Sequence, residues 1–151
     1  MVAGDGEDRA KAEARIAELG LREHGRMLGH VDSMPRFYAC LDCLVMPSHW
    51  EPHGLAHLEA QSFGVPVIVS DVPGLRSTVH AEDDALLVPP HDPAAIAAGV
   101  QRLAGDPQLR GRLVAGGLAN SALYSMGAFT RGLDEVYASL ATARAERREA
   151  A

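Results

Sequence analysis

An α/β fold built on a doubly wound parallel sheet is what this sequence predicts, and three observations predict it. Continuous apolar runs at residues 43–46, 65–69 and 85–88 have the length and composition of strands buried on both faces. Helical stretches separate these runs, so successive strands are joined by right-handed crossovers and pair in parallel. Two Asp-Pro pairs, Asp92-Pro93 and Asp106-Pro107, combine a helix-capping side chain with a proline at the first helical position.

The elements follow in chain order. Val2-Ala3-Gly4-Asp5-Gly6 reads as the end of a strand running into a turn, so the chain is expected to begin inside its fold. Apolar positions from Ala10 to Leu19 among charged neighbours predict a helix over 7–19, stopped by Gly20. A short extended piece at 26–28 and a helix over 34–40, opened by Ser33 and Pro35, come next. The run Cys43-Leu44-Val45-Met46 is stopped by Pro47, and a loop over 48–53 leads to a helix over 54–63 closed by Gly64. Pro66 fits only the start of the second strand. Asp71-Val72-Pro73-Gly74 reads as a turn, residues 75–79 as a short helix, and Pro89-Pro90 ends the third run. Helices follow from Asp92 to about 104, from Asp106 onward, and over 127–141. One domain over 1–141 with a solvated, charged tail over 142–151 is the resulting organisation.

Composition narrows the partners. The chain has 151 residues, 20 acidic and 14 basic side chains, and a formal net charge of −6. With one lysine, Lys11, and scattered arginines, it lacks the basic clusters that nucleic acid or an anionic membrane surface requires. No apolar run approaches a membrane span, and the N-terminus turns acidic at once, so a cytoplasmic location is expected.

In open parallel sheets, ligands bind beyond the carboxyl ends of the strands, where loops enter helices. The loop after Met46 reads Pro47-Ser48-His49-Trp50-Glu51-Pro52-His53-Gly54-Leu55-Ala56-His57-Leu58-Glu59. Glu51 falls in the loop and Glu59 about one turn into the following helix, so two carboxylates flank a helix start. Free N–H groups and the positive dipole end suit a phosphate there, and glycine lets it approach. A carboxylate one turn along can accept hydrogen bonds from vicinal sugar hydroxyls.

The segment from Glu51 to Glu59 resembles the paired-glutamate motif of the group 1 glycosyltransferases of GT-B fold. The likeness continues in register through Ala3-Gly4-Asp5-Gly6, Leu28-Gly29-His30-Val31, the block from Gly64 to Asp71, and Leu86-Leu87-Val88-Pro89-Pro90 with Asp92-Pro93. It implies a Rossmann-like domain, the C-terminal half of a GT-B architecture, that binds a nucleotide-diphosphate sugar as donor substrate. In that reading Glu59 holds the ribose hydroxyls, Gly54 and Leu55 the diphosphate through backbone N–H groups, and Glu51, the catalytic residue, the transferred sugar. His53 belongs to the same donor site, where the family often has an aromatic or small residue, and His30 and Val31 touch the base. The family's chemistry implies hexosyl transfer to an acceptor hydroxyl with retention and without a bound metal or other cofactor. By that resemblance, the family's basic pair on the diphosphate, which follows a first strand, and its N-terminal acceptor domain are expected to lie outside this sequence. An N-terminal domain or partner chain is therefore expected, through which the protein could attach at the inner face of the membrane. A non-catalytic nucleotide-sugar-binding module and an inactive remnant with an unpaired sheet edge are the alternatives.

Other features have plainer readings. His49, His53 and His57 with Glu51 suggest a metal set by spacing, but Pro52 and Gly54 break any helix that would align them. Cys40-Leu41-Asp42-Cys43 closes a helix before a strand, the reverse of a redox pair, so both thiols are expected to be packed. Gly4-x-Gly6 lacks a third glycine and reads as a turn. Trp50 is either a loop anchor or a wall of the sugar pocket.

Overall fold

The computed structural model describes residues 1–149. They fall into two compact units, Met1–Cys40 and the chain from Leu41 onward. In the first, β1 (Val2–Ala3) and β2 (Met27–Gly29) form a two-stranded parallel sheet with α1 (Arg9–Glu18) between them, and α2 (Met34–Tyr38) follows. Arg9 ties the start of α1 to its surroundings through Asp5 at 3.3 Å and Glu13 at 2.9 Å. Gly25 lies close against Ile16 of α1, leaving a Cβ only 3.1 Å from its Cγ2.

In the second unit β3 (Leu44–Met46), β4 (Val67–Ser70) and β5 (Leu86–Val88) pair in parallel in the order β3-β4-β5. Between and after them come α3 (Ala56–Ser62), α4 (Pro73–Arg76), α5 (Pro93–Gly105), α6 (Pro107–Leu123) and α7 (Met126–Glu149). The central strand β4 is buried at every residue, which is why its sequence is apolar without alternation. β3 lies at an edge of its sheet and is only half-buried, so the expectation of burial on both faces fails for it. The described strands form two sheets, where the sequence suggested one.

The core gathers Ile68, Leu86 and Val88 from the sheet with Leu103, Leu109 and Leu113 from α5 and α6. Both Asp-Pro starts are realised. Asp92 Oδ1 accepts from the Ala95 N–H at 2.9 Å, and Asp106 Oδ1 accepts from Gln108 and Leu109 at 3.0 and 2.9 Å. Each such cap contributes about 1 kcal/mol.

A buried polar network fixes α3, the helix that carries Glu59. Asn120 of α6 donates to Gln61 Oε1 at 3.0 Å and to the Thr78 carbonyl at 2.8 Å, and Gln61 donates to the Asp84 carbonyl at 3.0 Å. Gly116 and Gly117 let α6 come this close: a Cβ on the first would fall on the Asp83 carbonyl, and one on the second would stand 2.9 Å from Gln61 Cγ. Asn120→Ala removes two hydrogen bonds and strands the Gln61 carbonyl oxygen, so its urea-unfolding midpoint is expected to report a loss of about 2 kcal/mol.

α1 and α2 are slightly shorter than the sequence suggests, and three further helix limits differ for local reasons. α3 begins at Ala56 rather than Gly54, because Gly54 has φ +77° and cannot be helical. α4 spans Pro73–Arg76, two residues earlier than expected, since Pro73 supplies a first-turn residue with a preset φ. α7 continues to Glu149, through a stretch of alanine, arginine and glutamate with high helix propensity; residues 150–151 of the expected tail lie outside the described residues. Among the described residues, no helix is long and apolar enough to cross a membrane.

Candidate functional site

β3 ends at Met46, and residues 47–55 carry the chain away from the sheet into α3. The turn at the end of this loop is set by Gly54, which is buried in the left-handed region at φ +77°. A Cβ there would stand 2.6 Å from Leu75 Cδ2, 3.0 Å from His57 Nδ1 and 3.2 Å from Glu51 Cγ. Conformation and space both demand glycine. Leu55 caps α3 and is largely exposed, and Glu59 stands exposed in the first turn. Glu51 is half-buried in the loop with its side chain beside Gly54. The structure thus brings Glu51, Gly54, Leu55 and Glu59 together around one helix start, whose first N–H groups have no intrahelical acceptors.

The loop is held from the other side by α4. Gly74 packs directly against the carbonyl oxygen of Glu51, and a Cβ on it would lie 2.6 Å from the Pro52 carbonyl carbon. Leu75, fully buried, fills the space beside Gly54. In sequence Gly74 reads as a turn residue, and no local signal marks its packing against the 51–52 peptide.

The three histidines at every fourth residue go to different neighbours. His49 stacks on His91 with ring centroids 3.9 Å apart, and His53 meets Tyr124 edge-on at 5.7 Å. His57 is fully buried, its Nε2 2.9 Å from Thr78 Oγ1. Among the described residues no group of three or more histidine, cysteine or carboxylate side chains is arranged to hold a metal ion.

His57 has an electrostatic character of its own. The Thr78 hydroxyl donates to the Leu75 carbonyl at 2.9 Å, and its oxygen faces His57 Nε2 at 2.9 Å. The other ring nitrogen, Nδ1, is buried without a hydrogen-bond partner. Burial first, and His53 second, push the imidazole down to about 4, against an opposing pull from Asp84. An unpaired buried polar atom costs about 1–3 kcal/mol, so this ring is an uncompensated feature next to the glycine turn.

Trp50 is 77% exposed, so it does not anchor the loop by burial. Cys43 is half-buried against the core, and burial pushes its thiol up to about 11. Cys40 is exposed, contrary to the packing expected for it, because it lies just past the end of the short helix α2. His30 and Val31 belong to the first unit; His30 is exposed with Nε2 3.6 Å from Asp32 Oδ1, and Val31 is half-buried. A cavity of about 950 Å³ opens beside α3, with His53, Leu55 and Glu59 on one wall and Tyr124, Phe129 and Leu133 on the other. Its lining is mainly apolar and includes neither Glu51 nor Gly54.

The family model described as "Glycosyl transferases group 1" matches residues 1–118. The D-inositol 3-phosphate glycosyltransferase of Acidothermus cellulolyticus is 39% identical over 120 residues, which cover 80% of this chain and 26% of that enzyme. Sucrose-phosphate synthase from Thermosynechococcus elongatus superposes with a TM-score of 0.82 at 33% identity, over 93% of this chain and 37% of that one. The Anabaena HepE protein in complex with UDP-glucose shares the fold, with a TM-score of 0.83 at 23% identity, over 91% of this chain and 40% of its own. The chain spans about a quarter to a third of the length of the curated relatives it matches. Its fold is that of the Rossmann-like C-terminal half of a GT-B enzyme, and the chain belongs to the group 1 glycosyltransferase family.

Proposed function

We propose that this chain is the donor-binding half of a retaining hexosyltransferase that moves a sugar from a nucleotide diphosphate to an acceptor hydroxyl. One observation carries the reading. The Glu51 to Glu59 segment folds around a left-handed Gly54 at the head of α3, with one carboxylate beside the turn and the other one helical turn along. In a member of this family, that arrangement matches a diphosphate on the Gly54 and Leu55 N–H groups, a ribose on Glu59 and the transferred sugar on Glu51. By resemblance His53 belongs to the donor site, and His30 and Val31 take the base. The UDP-glucose held by a protein of the same fold supports a nucleotide sugar as ligand.

The chemistry follows from charge. Departure of the diphosphate leaves an oxocarbenium-like sugar and concentrates negative charge on the leaving phosphate. Fixed N–H dipoles at the Gly54 turn stabilise that charge without reorganising and without a metal ion. Because the chain carries a net charge of −6, these dipoles, and not a basic patch, would supply the attraction here. A further N-terminal domain or partner chain would bring the acceptor, and the reaction is placed in the cytoplasm.

Calorimetry with nucleotide sugars tests the site. Glu59→Ala removes charge-assisted hydrogen bonds and is expected to weaken binding about 10-fold to 100-fold. Glu59→Gln, which keeps one acceptor, should lose less. Equal affinity of the wild type and Glu59→Ala overturns the assignment. Thermal-shift screening of nucleotide sugars that differ in base and sugar identifies the donor, because a ligand of the folded state raises the melting temperature.

A further inference from the structure

We propose that His57 is a positioning residue for the Gly54 turn: its ring, locked as the Nε2–H tautomer by Thr78, sets a proton-free Nδ1 against Gly54, and the turn keeps its shape only while the imidazole is neutral. As it concerns donor binding, the proposal rests on the function given above.

The tautomer follows from proton counting. Thr78 has one hydroxyl proton, and three carbonyl oxygens surround it: Leu75 at 2.9 Å, Gly74 at 3.4 Å and His53 at 3.5 Å. Sending that proton to His57 would leave the hydroxyl oxygen against the Leu75 carbonyl with no hydrogen between them. The proton therefore goes to a carbonyl, and Nε2–H, 2.9 Å away, donates to the hydroxyl. The lock is built from the groups that shape the loop, since Leu75 and Gly74 are the residues that press on Gly54 and on Glu51.

Nδ1 is the second half of the device. It is buried without a partner, and it lies 3.0 Å from the point where a Cβ of residue 54 would be. Against a bare nitrogen, the hydrogen-only face of Gly54 fits. A protonated Nδ1–H has no acceptor on that side and requires more room, so the turn must open for it. The titratable groups facing the ring are His53 from the loop and Asp84 from the segment before β5, and Glu51 Cγ lies 3.2 Å from the same point beside Gly54 that Nδ1 approaches to 3.0 Å. Burial holds the imidazole down to about 4, which keeps the ring neutral near pH 7.

NMR of the full chain tests this without any nucleotide. Long-range nitrogen–proton correlations of the ring are expected to show Nε2–H at pH 7, and the Gly54 and Leu55 amides should move on acidification with the midpoint of the His57 ring. Thr78→Val removes the acceptor, so the ring becomes a mixture of tautomers and the Gly54 amide shifts already at pH 7; Thr78→Ser restores both. His57→Gln, whose amide reaches the place of Nε2, should abolish the acid transition at Gly54. An Nδ1–H tautomer at pH 7, or a Gly54 amide that ignores both the His57 titration and Thr78→Val, overturns the proposal, and both are read even where His57→Gln fails to fold. Calorimetry with UDP is the second arm: affinity should fall at least 10-fold as His57 protonates in the wild type. If the wild type binds no UDP or other nucleotide at any pH, the donor reading fails, while the NMR result still decides the role of His57.

Discussion

Gly74→Ala is expected to destabilise the protein by about 3 kcal/mol, the upper end of the usual cost of overpacking. The reason is position, not backbone conformation. A Cβ on Gly74 would fall on the Glu51 carbonyl oxygen and within 2.7 Å of the Pro52 carbonyl carbon and oxygen. Backbone atoms cannot rotate out of the way as a side chain can, so either α4 or the 51–52 peptide must move. Neither is free. α4 carries Leu75, which is fully buried and presses on Gly54, while the loop leads into α3 through that same glycine. For a chain of this length, about 3 kcal/mol lowers the melting temperature by roughly 6–12 °C. Gly111→Ala is the informative control, because that glycine is exposed within α6 and faces open space. There the added methyl group only favours helix, and a gain of about 0.5–1 kcal/mol is expected. If Gly74→Ala melts within 1 °C of the wild type, the contact between α4 and the Glu51 loop is not what shapes the site.

This contrast marks where the sequence was legible. Strands β4 and β5 and the capped helices α5 and α6 could be read because each carries a local signal: a continuous apolar run, or an aspartate followed by proline. The pairing of Glu51 and Glu59 about Gly54 was likewise readable, since the turn chemistry and the spacing are local. Gly74 was not, because its role is to meet a peptide more than twenty residues away. The same holds for Gln61 and Asn120, a pair separated by 59 positions. Backbone conformation was unevenly legible. Glu82 and His91 occupy positive φ of 67° and 62° without being glycine; histidine is among the residues enriched there, whereas nothing in the Glu82 side chain announces it. Glu82 is held there in part by a two-pronged exposed ion pair with Arg102, at 3.0 and 2.9 Å. Equal spacing does not give the histidines equal surroundings, since His57 is buried while His49 and His53 are exposed.

Acid should weaken the fold through His57, and the sign follows from its environment. The folded state holds this imidazole down to about 4 from an ordinary 6.5, chiefly by burial. Between those values the unfolded chain takes up a proton that the folded chain refuses, so acidification favours unfolding. The contribution of His57 is fully present above about pH 6.5 and is lost as pH falls toward 4. A shift of this size corresponds to roughly 3 kcal/mol over the whole window, since each pKa unit is worth about 1.4 kcal/mol. Urea unfolding at half-unit steps from pH 7.5 to 4.5 measures it. Wild-type stability is expected to decline steadily across the lower part of that range. His57→Gln removes the titrating ring and can keep a donor toward Thr78, so its curve should be flatter over the same steps. Exposed histidines such as His30 and His49 offer the comparison, because their substitution leaves the slope unchanged if burial of His57 is its source. A wild-type slope that survives His57→Gln would assign acid sensitivity to the carboxylates instead, and would mean that this buried ring is protonated at no cost to the fold.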